Sequence, residues 1–362
     1  MKRIGRAVGL KGKSRKSGAE APSRVLPEHR LLSVALLAPR AETIEGMREE
    51  LGADTVAAVS GVVGWWREQH RSIADAESAP MAAPASPPSA KPAIAPKVPP
   101  AAWTEISPGG DTICSRGQDW SFFFRPGTVN KLVIEFQGGG ACWNYGTCSF
   151  ADAIFKDNID DVRAAVAQGA RQGIYDHTRE DNPFADWHHL FVPYCTGDIH
   201  WGRAQVEYED ENGGPPIMLN HQGAVNAEVA LRWAKEELPA PDTIFLGGCS
   251  AGAYGSIGWA PHIMKNYPTS KVVQLGDCGA GIITDRFLQD SFPVWNALAT
   301  LPAWIENLDP ARIDFQQLEL ADLYSEVGQF YGGQLVGQYN TVFDNNQVFY
   351  YNTMGGDGGD VG

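Results

Sequence analysis

The chain has no stretch approaching the roughly 18 consecutive apolar residues that a membrane-spanning helix requires, so no segment reads as a transmembrane helix. None of its cysteine spacings is a C-x-x-C pair, which argues against structural zinc. Basic residues are scarce where a folded domain is expected. Residues 101–362 hold 14 Lys and Arg against 33 Asp and Glu, whereas residues 1–100 hold 15 against 10. So acidic a surface repels phosphate backbones, and no basic stripe offsets it, which excludes a nucleic-acid role. No internal repeat is present, which removes solenoids and propellers.

What is present divides into three parts. Residues 1–73 form an amino-terminal extension, basic at its start, with seven Lys and Arg and no acid in the first 18 residues. As a secretory signal it is poor, because the charged stretch is long and the apolar patch from Leu31 to Ala38 is short. A disordered basic tail or a misplaced start codon accounts for it equally well. Val56, Val59, Val62 and Val63 could share one face of a helix in this part. Residues 74–100 are rich in Ala and Pro and read as an extended linker, since proline blocks helix and there is little bulk to bury. Residues 101–362 carry the catalytic-domain texture, and all six cysteines lie there, an even number that points to disulfides and an oxidising compartment.

Within that third part, Lys131–Phe136, His189–Tyr194, Thr243–Gly248 and Lys271–Gly276 are short apolar runs of the kind found in buried parallel strands. Between the second and third, Val225, Val229 and Trp233 recur at helical spacing. This order predicts an α/β fold with a mostly parallel sheet and helices on both faces. The third run leads into Gly248-Cys249-Ser250-Ala251-Gly252, a G-x-S-x-G pattern at a strand-to-helix junction. There a serine sits on a tight turn that projects it above the sheet, and we read Ser250 as a nucleophile. Pro261 is expected to break or kink the following helix near Ala260.

Acyl transfer through serine needs donors aimed at the developing oxyanion. The backbone N–H of Ala251 is one candidate. Directly after Lys131–Phe136 comes Gln137-Gly138-Gly139-Gly140-Ala141-Cys142-Trp143, whose glycines leave backbone N–H groups accessible; Gly139 and Gly140 are the further candidates.

The stretches FQGGGACWN (136–144), FVPYCTGDIHWG (191–202), GGCSAGAYGS (247–256), LGDCGAG (275–281) and NTVFDNNQ (340–347) occur in this order. Together they resemble the pectin acetylesterase and Notum-type carboxylesterase family. The resemblance implies an α/β-hydrolase-like fold, hydrolysis of carboxylic esters such as acetylated polysaccharide or acylated protein, no metal and no organic cofactor. It also implies a secreted or periplasmic location. Asp344 matches the family's catalytic aspartate, with Asp277 as the second candidate acid.

Serine also needs a histidine to accept its proton, and in α/β-hydrolases that residue follows the acid. None of the eight histidines lies after Asp344, so the sequence is expected to be C-terminally incomplete, a fragment with little activity. His200 could face the site but reads better as shaping its loop, and His221 as a capping or packing residue. A hydrolase-fold domain that binds glycan or acyl ligand without turnover is the alternative. Cys142 with Cys148, Cys114 with Cys195 and Cys249 with Cys278 are the candidate pairs. Trp143, Tyr145 and Trp201 suit either an acyl slot or core packing. The Gly- and Asp-rich tail from Gly355 to Asp360 is a single copy, too little for a calcium site.

Overall fold

A computed structural model describes residues 102–150, 153–169, 173–279, 283–341 and 344–355. The extension (1–73), the linker (74–100) and the tail beyond Gly355 lie outside the described residues.

The strands are β1 (Thr104–Ile106), β2 (Phe122–Arg125), β3 (Lys131–Phe136), β4 (His188–Val192), β5 (Ala204–Tyr208), β6 (Ile217–His221), β7 (Thr243–Cys249), β8 (Lys271–Asp277) and β9 (Leu335–Tyr339). The helices are α1 (Tyr145–Cys148), α2 (Asp160–Ala167), α3 (Gly223–Glu237), α4 (Ala251–Asn266), α5 (Asp285–Trp295), α6 (Leu320–Phe330) and α7 (Asn345–Thr353). Among the described residues seven strands form one sheet in the order β1-β2-β4-β3-β7-β8-β9, and β5 pairs only with β6. From β4 to β9 every neighbouring pair is parallel, while β1 and β2 form an antiparallel edge.

All four expected strands are therefore present, and their parallel pairing bears out the α/β class. The β4 strand ends at Val192 rather than Tyr194. Pro193 has no N–H to give to the ladder, which closes the strand one residue before it. Both faces are covered. Leu132, Ile134, Leu190, Ile244 and Val272 pack with α3 and α4 in one core, and Phe123 and Phe191 pack with Val162 of α2 on the other side.

The helical spacing of Val225, Val229 and Trp233 is borne out, since all three lie on α3, and the break considered at Pro261 does not occur. In α3 the most buried stripe is Ala224, Ala227, Ala230 and Ala234, while Val225, Val229 and Trp233 are only partly buried. Close approach to the sheet selects small side chains, and Trp233 instead closes over Phe122 and Phe124 from the rim. In α4, Pro261 does not end the helix, which runs on to Asn266. A proline in a helix interior costs roughly 3 kcal/mol. Here α4 is buried along almost its whole length, from Ala251 through Pro261 to Met264, and that packing offsets the cost.

Disulfides join Cys114 to Cys195 and Cys142 to Cys148, as two of the candidate pairs anticipated. The first closes a separation of 81 residues and ties the antiparallel edge to the segment after β4. Loop-closure entropy over that length corresponds to about 4–5 kcal/mol. Cys249 and Cys278 are not bonded; their sulfurs stand 3.5 Å apart.

The parallel order also sets where a site can form. The connection from β3 leads to β4 on one side, whereas β7 lies on the other side of β3 and leads outward to β8 and β9. The chain therefore changes direction between β3 and β7, and in such sheets ligands bind in the crevice beyond the carboxyl ends of those strands. The glycine-rich segment leaves β3 there, and Ser250 leaves β7 there.

Candidate active site

Ser250 follows β7 with φ 56° and ψ −124°, a conformation that an L-residue adopts only when its surroundings impose it. The surroundings are visible on both sides. The Ser250 N–H donates to the Asp277 carbonyl at the end of β8, 2.8 Å away, and the Ser250 carbonyl accepts from Ala253 N at 2.9 Å. Gly252 lies so close to the end of β3 that a Cβ would collide with the Phe136 carbonyl. The spacing of the pattern thus follows from strand packing: the helix can start against β3 only if the second residue after the serine has no side chain.

The segment after β3 closes the crevice from the other side. A Cβ on Gly138 would run into the Cys249 carbonyl, and Gly140 takes φ 73°, a left-handed position that glycine fills without strain. A cavity of about 120 Å³ opens at this point, lined by Ser250, Ala251 and Gly140, by Asp344 and by the apolar side chains of Ile199 and Phe287. Four of the five expected site residues, Ser250, Ala251, Gly140 and Asp344, therefore share one cavity. Gly139 does not line it: its α-carbon faces Tyr194 and Lys156, and its carbonyl accepts from Lys156 N.

Asp344 occupies the N-cap of α7. Its Oδ1 accepts from the N–H groups of Asn346 and Gln347, both at 3.0 Å, and its Oδ2 accepts from Gln347 Nε2 at 2.9 Å. Asp277, the second candidate, is buried; its Oδ1 accepts from the Cys278 thiol at 3.1 Å and its carbonyl holds Ser250.

Among the described residues no histidine lines the cavity. His200 is buried with φ 66°, and its Nε2 donates to the Gln137 carbonyl at 2.8 Å, which fixes the tautomer and anchors the backbone just before the glycines. Burial lowers its pKa to about 4. His221 is also buried: Nδ1 donates to the Thr196 carbonyl and Nε2 accepts from the Tyr208 hydroxyl. His189 bonds Glu135 at 2.9 Å, and His262 donates to the Thr300 carbonyl. His188 accepts from Gly127 N, while His177 is enclosed near His189. Each has a packing role away from the cavity, as the sequence reading of His200 and His221 anticipated.

The loop that carries His200 is organised by Asp198, a fully buried carboxylate. It accepts from Thr196 Oγ1 at 2.6 Å, His200 N at 3.2 Å and Gly223 N at 2.7 Å. Burial raises its pKa to about 6, against the pull of those donors. The loop sets Ile199 into the cavity wall. Trp143 and Trp201 prove to be core residues, the first on Phe287 with ring centres 4.9 Å apart, the second donating to the Tyr254 carbonyl at 2.9 Å.

Some cavity residues carried no sequence signal. Tyr350 on α7 reaches across the opening, its hydroxyl donating to the Ile154 carbonyl beside Gly140. Neither Tyr350 nor Ile199 belongs to a motif whose chemistry would single it out. Their only cue is nearness in sequence to Asp344 and His200.

The family described as pectinacetylesterase matches residues 107–291. Pectin acetylesterase 11 of Arabidopsis thaliana is 28% identical over 174 residues, 46% of this chain and 42% of that protein. Palmitoleoyl-protein carboxylesterase NOTUM of Schmidtea mediterranea is 30% identical over 100 residues, 26% of this chain and 18% of that protein. The matched stretches thus span less than half the length of either relative. The solved structure of the Drosophila Wnt deacylase Notum superposes with a TM-score of 0.47 at 15% identity, over 70% of this chain and 74% of that one.

Proposed function

The chain belongs to the pectinacetylesterase family, and from that premise we propose that it is a serine carboxylic-ester hydrolase acting on short acyl esters such as acetyl groups on polysaccharide. The observation that carries this reading is the cavity shared by Ser250, Ala251, Gly140 and Asp344 at the change of direction in the sheet. Ser250 Oγ attacks the ester carbonyl, and the Ala251 and Gly140 N–H groups receive the oxyanion. The Ser250 proton passes to solvent or to an added base and on to the departing alcohol, and water then releases the acyl group from Ser250 as the carboxylic acid. Gly139 contributes by placing Gly140. The two disulfides and the resemblance support a secreted or periplasmic location, and no helix among the described residues is long and apolar enough to cross a membrane.

The acyl size follows from the volume. At about 120 Å³ the cavity is well below the roughly 300–1,000 Å³ of sites that enclose drug-sized ligands. An acetyl group fits, whereas a long acyl chain would have to leave through the opening.

The proton on Ser250 is the weak point, because no described histidine faces it. We therefore assign residues 1–362 slow turnover, limited by the base. Without a base at the serine, such a site retains only the acceleration from oxyanion stabilisation and binding. The same observation favours a second reading, a hydrolase-fold domain that binds glycan or acyl ligand without turnover.

One experiment tests both. Release of p-nitrophenol from the acetyl ester is followed with and without added imidazole, beside a Ser250→Ala control, and compared with the palmitoyl ester. Slow Ser250-dependent release that imidazole accelerates, faster for acetyl than palmitoyl, is the expected result. No Ser250-dependent release under any condition sinks the esterase reading and leaves the binding domain.

A further inference from the structure

Cys249 and Cys278 hold the residues on either side of the Ser250 anchor. Cys249 precedes the serine directly, and Cys278 follows Asp277, whose carbonyl accepts the Ser250 N–H. Cys249 and Asp277 are register partners across β7 and β8, so the two sulfurs meet beyond the last rung of the pair, 3.5 Å apart. Both residues line the same cavity as Ser250, with Cys249 exposed and Cys278 half-buried. A disulfide needs about 2.05 Å between sulfurs, so closure requires a shift of roughly 1.5 Å, within the reach of side-chain rotation.

We propose that Cys249 and Cys278 are a reversible disulfide-forming site that ties the serine turn to the end of β8 when the protein meets a small-molecule disulfide. The exposed thiol of Cys249 reacts first: its sulfur displaces one thiol from the oxidant and forms a mixed disulfide. Cys278, held by Cys249 and Asp277, then attacks the Cys249 sulfur and releases the second thiol. One oxidant disulfide is reduced to two thiols, two cysteine thiols are oxidised to one disulfide, and the two protons pass to the departing thiolates. Hydrogen bonding to Cys249, burial and the neighbouring Asp277 carboxylate raise the Cys278 pKa, so Cys278 is the resolving thiol rather than the first to react. The other two pairs are already bonded and their cysteines are fully buried, which leaves this exposed pair as the labile one. Closure would place a covalent link around the same rung that holds Ser250 by its N–H.

The test is alkylation by iodoacetamide with peptide mass mapping, before and after incubation with oxidised glutathione. Both cysteines are expected to be alkylated beforehand, to lose alkylation together afterwards, and to appear as one linked peptide until reduced. In Cys278→Ala the reaction should stop at the first stage, with glutathione on Cys249. Full alkylation of both thiols after oxidation overturns the proposal, as does glutathione on Cys249 in the wild-type chain with no linked peptide. Thiols blocked before oxidation and freed by EDTA overturn it in favour of a metal held by Cys249, Asp277 and Cys278, whose donor atoms lie within 4.8 Å of one another. None of these readouts depends on ester turnover.

Discussion

His200 Nε2 donates to the Gln137 carbonyl at 2.8 Å, so a buried, neutral imidazole fixes the backbone from which Gly138, Gly139 and Gly140 depart. The ring also sits edge-on to Phe136, with centres 5.0 Å apart, and against Gly255 of α4, where a Cβ would touch it. One histidine thereby locks the end of β3, the glycine segment and the serine helix together.

His200→Ala removes that lock and leaves the Gln137 carbonyl buried without its donor. The expected loss of stability is about 2–4 kcal/mol, combining a cavity with an unpaired polar group. Ser250-dependent release of p-nitrophenol should fall more in kcat than in KM, because the displaced group orients the oxyanion donors rather than binding the ester. Urea unfolding and steady-state kinetics on the same preparation check both. A variant with unchanged stability and kcat would remove His200 from the positioning role.

The buried titratable groups give stability a definite dependence on pH. His200 and His221 both have pKa values lowered to about 4 by burial, so on acidification the unfolded chain takes up protons near pH 6.5 while the folded chain does not. Their contribution is intact above pH 6.5 and is lost as pH falls from there towards 4. Asp198 acts in the opposite sense. Its pKa is raised to about 6, so the folded chain binds a proton that the unfolded chain lacks between roughly pH 4 and 6, and stability from this group falls as pH rises through that range. His177, lowered to about 3, and His188 and His262, also lowered by burial, act in the same direction as His200 and His221. The histidines therefore outweigh the one carboxylate, and the net expectation is a loss of at least about 2 kcal/mol between pH 7 and 5. Urea midpoints measured at the two values decide it, and a higher midpoint at pH 5 would contradict the assignment.

The parallel strands and the serine turn were legible in the sequence because their residues do two jobs at once. Leu132, Ile134, Ile244 and Leu246 are apolar since both sheet faces are covered, and Gly248 and Gly252 are glycines since β3 passes beside them. Other elements were not legible for physical reasons. The β1 and β2 edge has only three and four residues, too few to show a period. All five residues of β9 are half-buried, so they lack the continuous apolar run that marked its neighbours. In α3 the spacing of Val225, Val229 and Trp233 marked the helix, while its inward face is alanine, which carries little pattern of its own. Of the two glycines expected as donors, only Gly140 lines the cavity, a distinction that the sequence GGG does not carry and the left-handed turn at Gly140 does.

Ser250 stores backbone strain at φ 56° and ψ −124°. Such conformations cost a non-glycine residue on the order of 1–3 kcal/mol. Ser250→Gly should therefore raise the thermal midpoint while abolishing ester turnover, whereas Ser250→Ala abolishes turnover and leaves the midpoint nearly unchanged, since it keeps the Cβ. Calorimetry on the two variants separates them. Equal midpoints would mean that the turn is not strained in solution.

Asp344 can serve two ends, and two substitutions tell them apart. As the N-cap of α7 it satisfies the N–H groups of Asn346 and Gln347, and α7 in turn carries Tyr350 to the wall of the cavity. The substitution Asp344→Asn retains a side-chain oxygen for that cap but loses the charge, because asparagine is as good an N-cap as aspartate. Asp344→Ala should cost about 0.5–2 kcal/mol and loosen the cavity wall, while Asp344→Asn should cost little. If Asp344 acts only through the cap, Asp344→Asn keeps the imidazole-assisted rate of the parent chain. If its charge supports a cationic base beside Ser250, Asp344→Asn loses that rate with its stability intact, and Asp344→Ala loses both. A variant Asp344→Asn that is as unstable as Asp344→Ala would mean that the carboxylate charge at the helix N-terminus, and not the cap geometry, holds α7 in place.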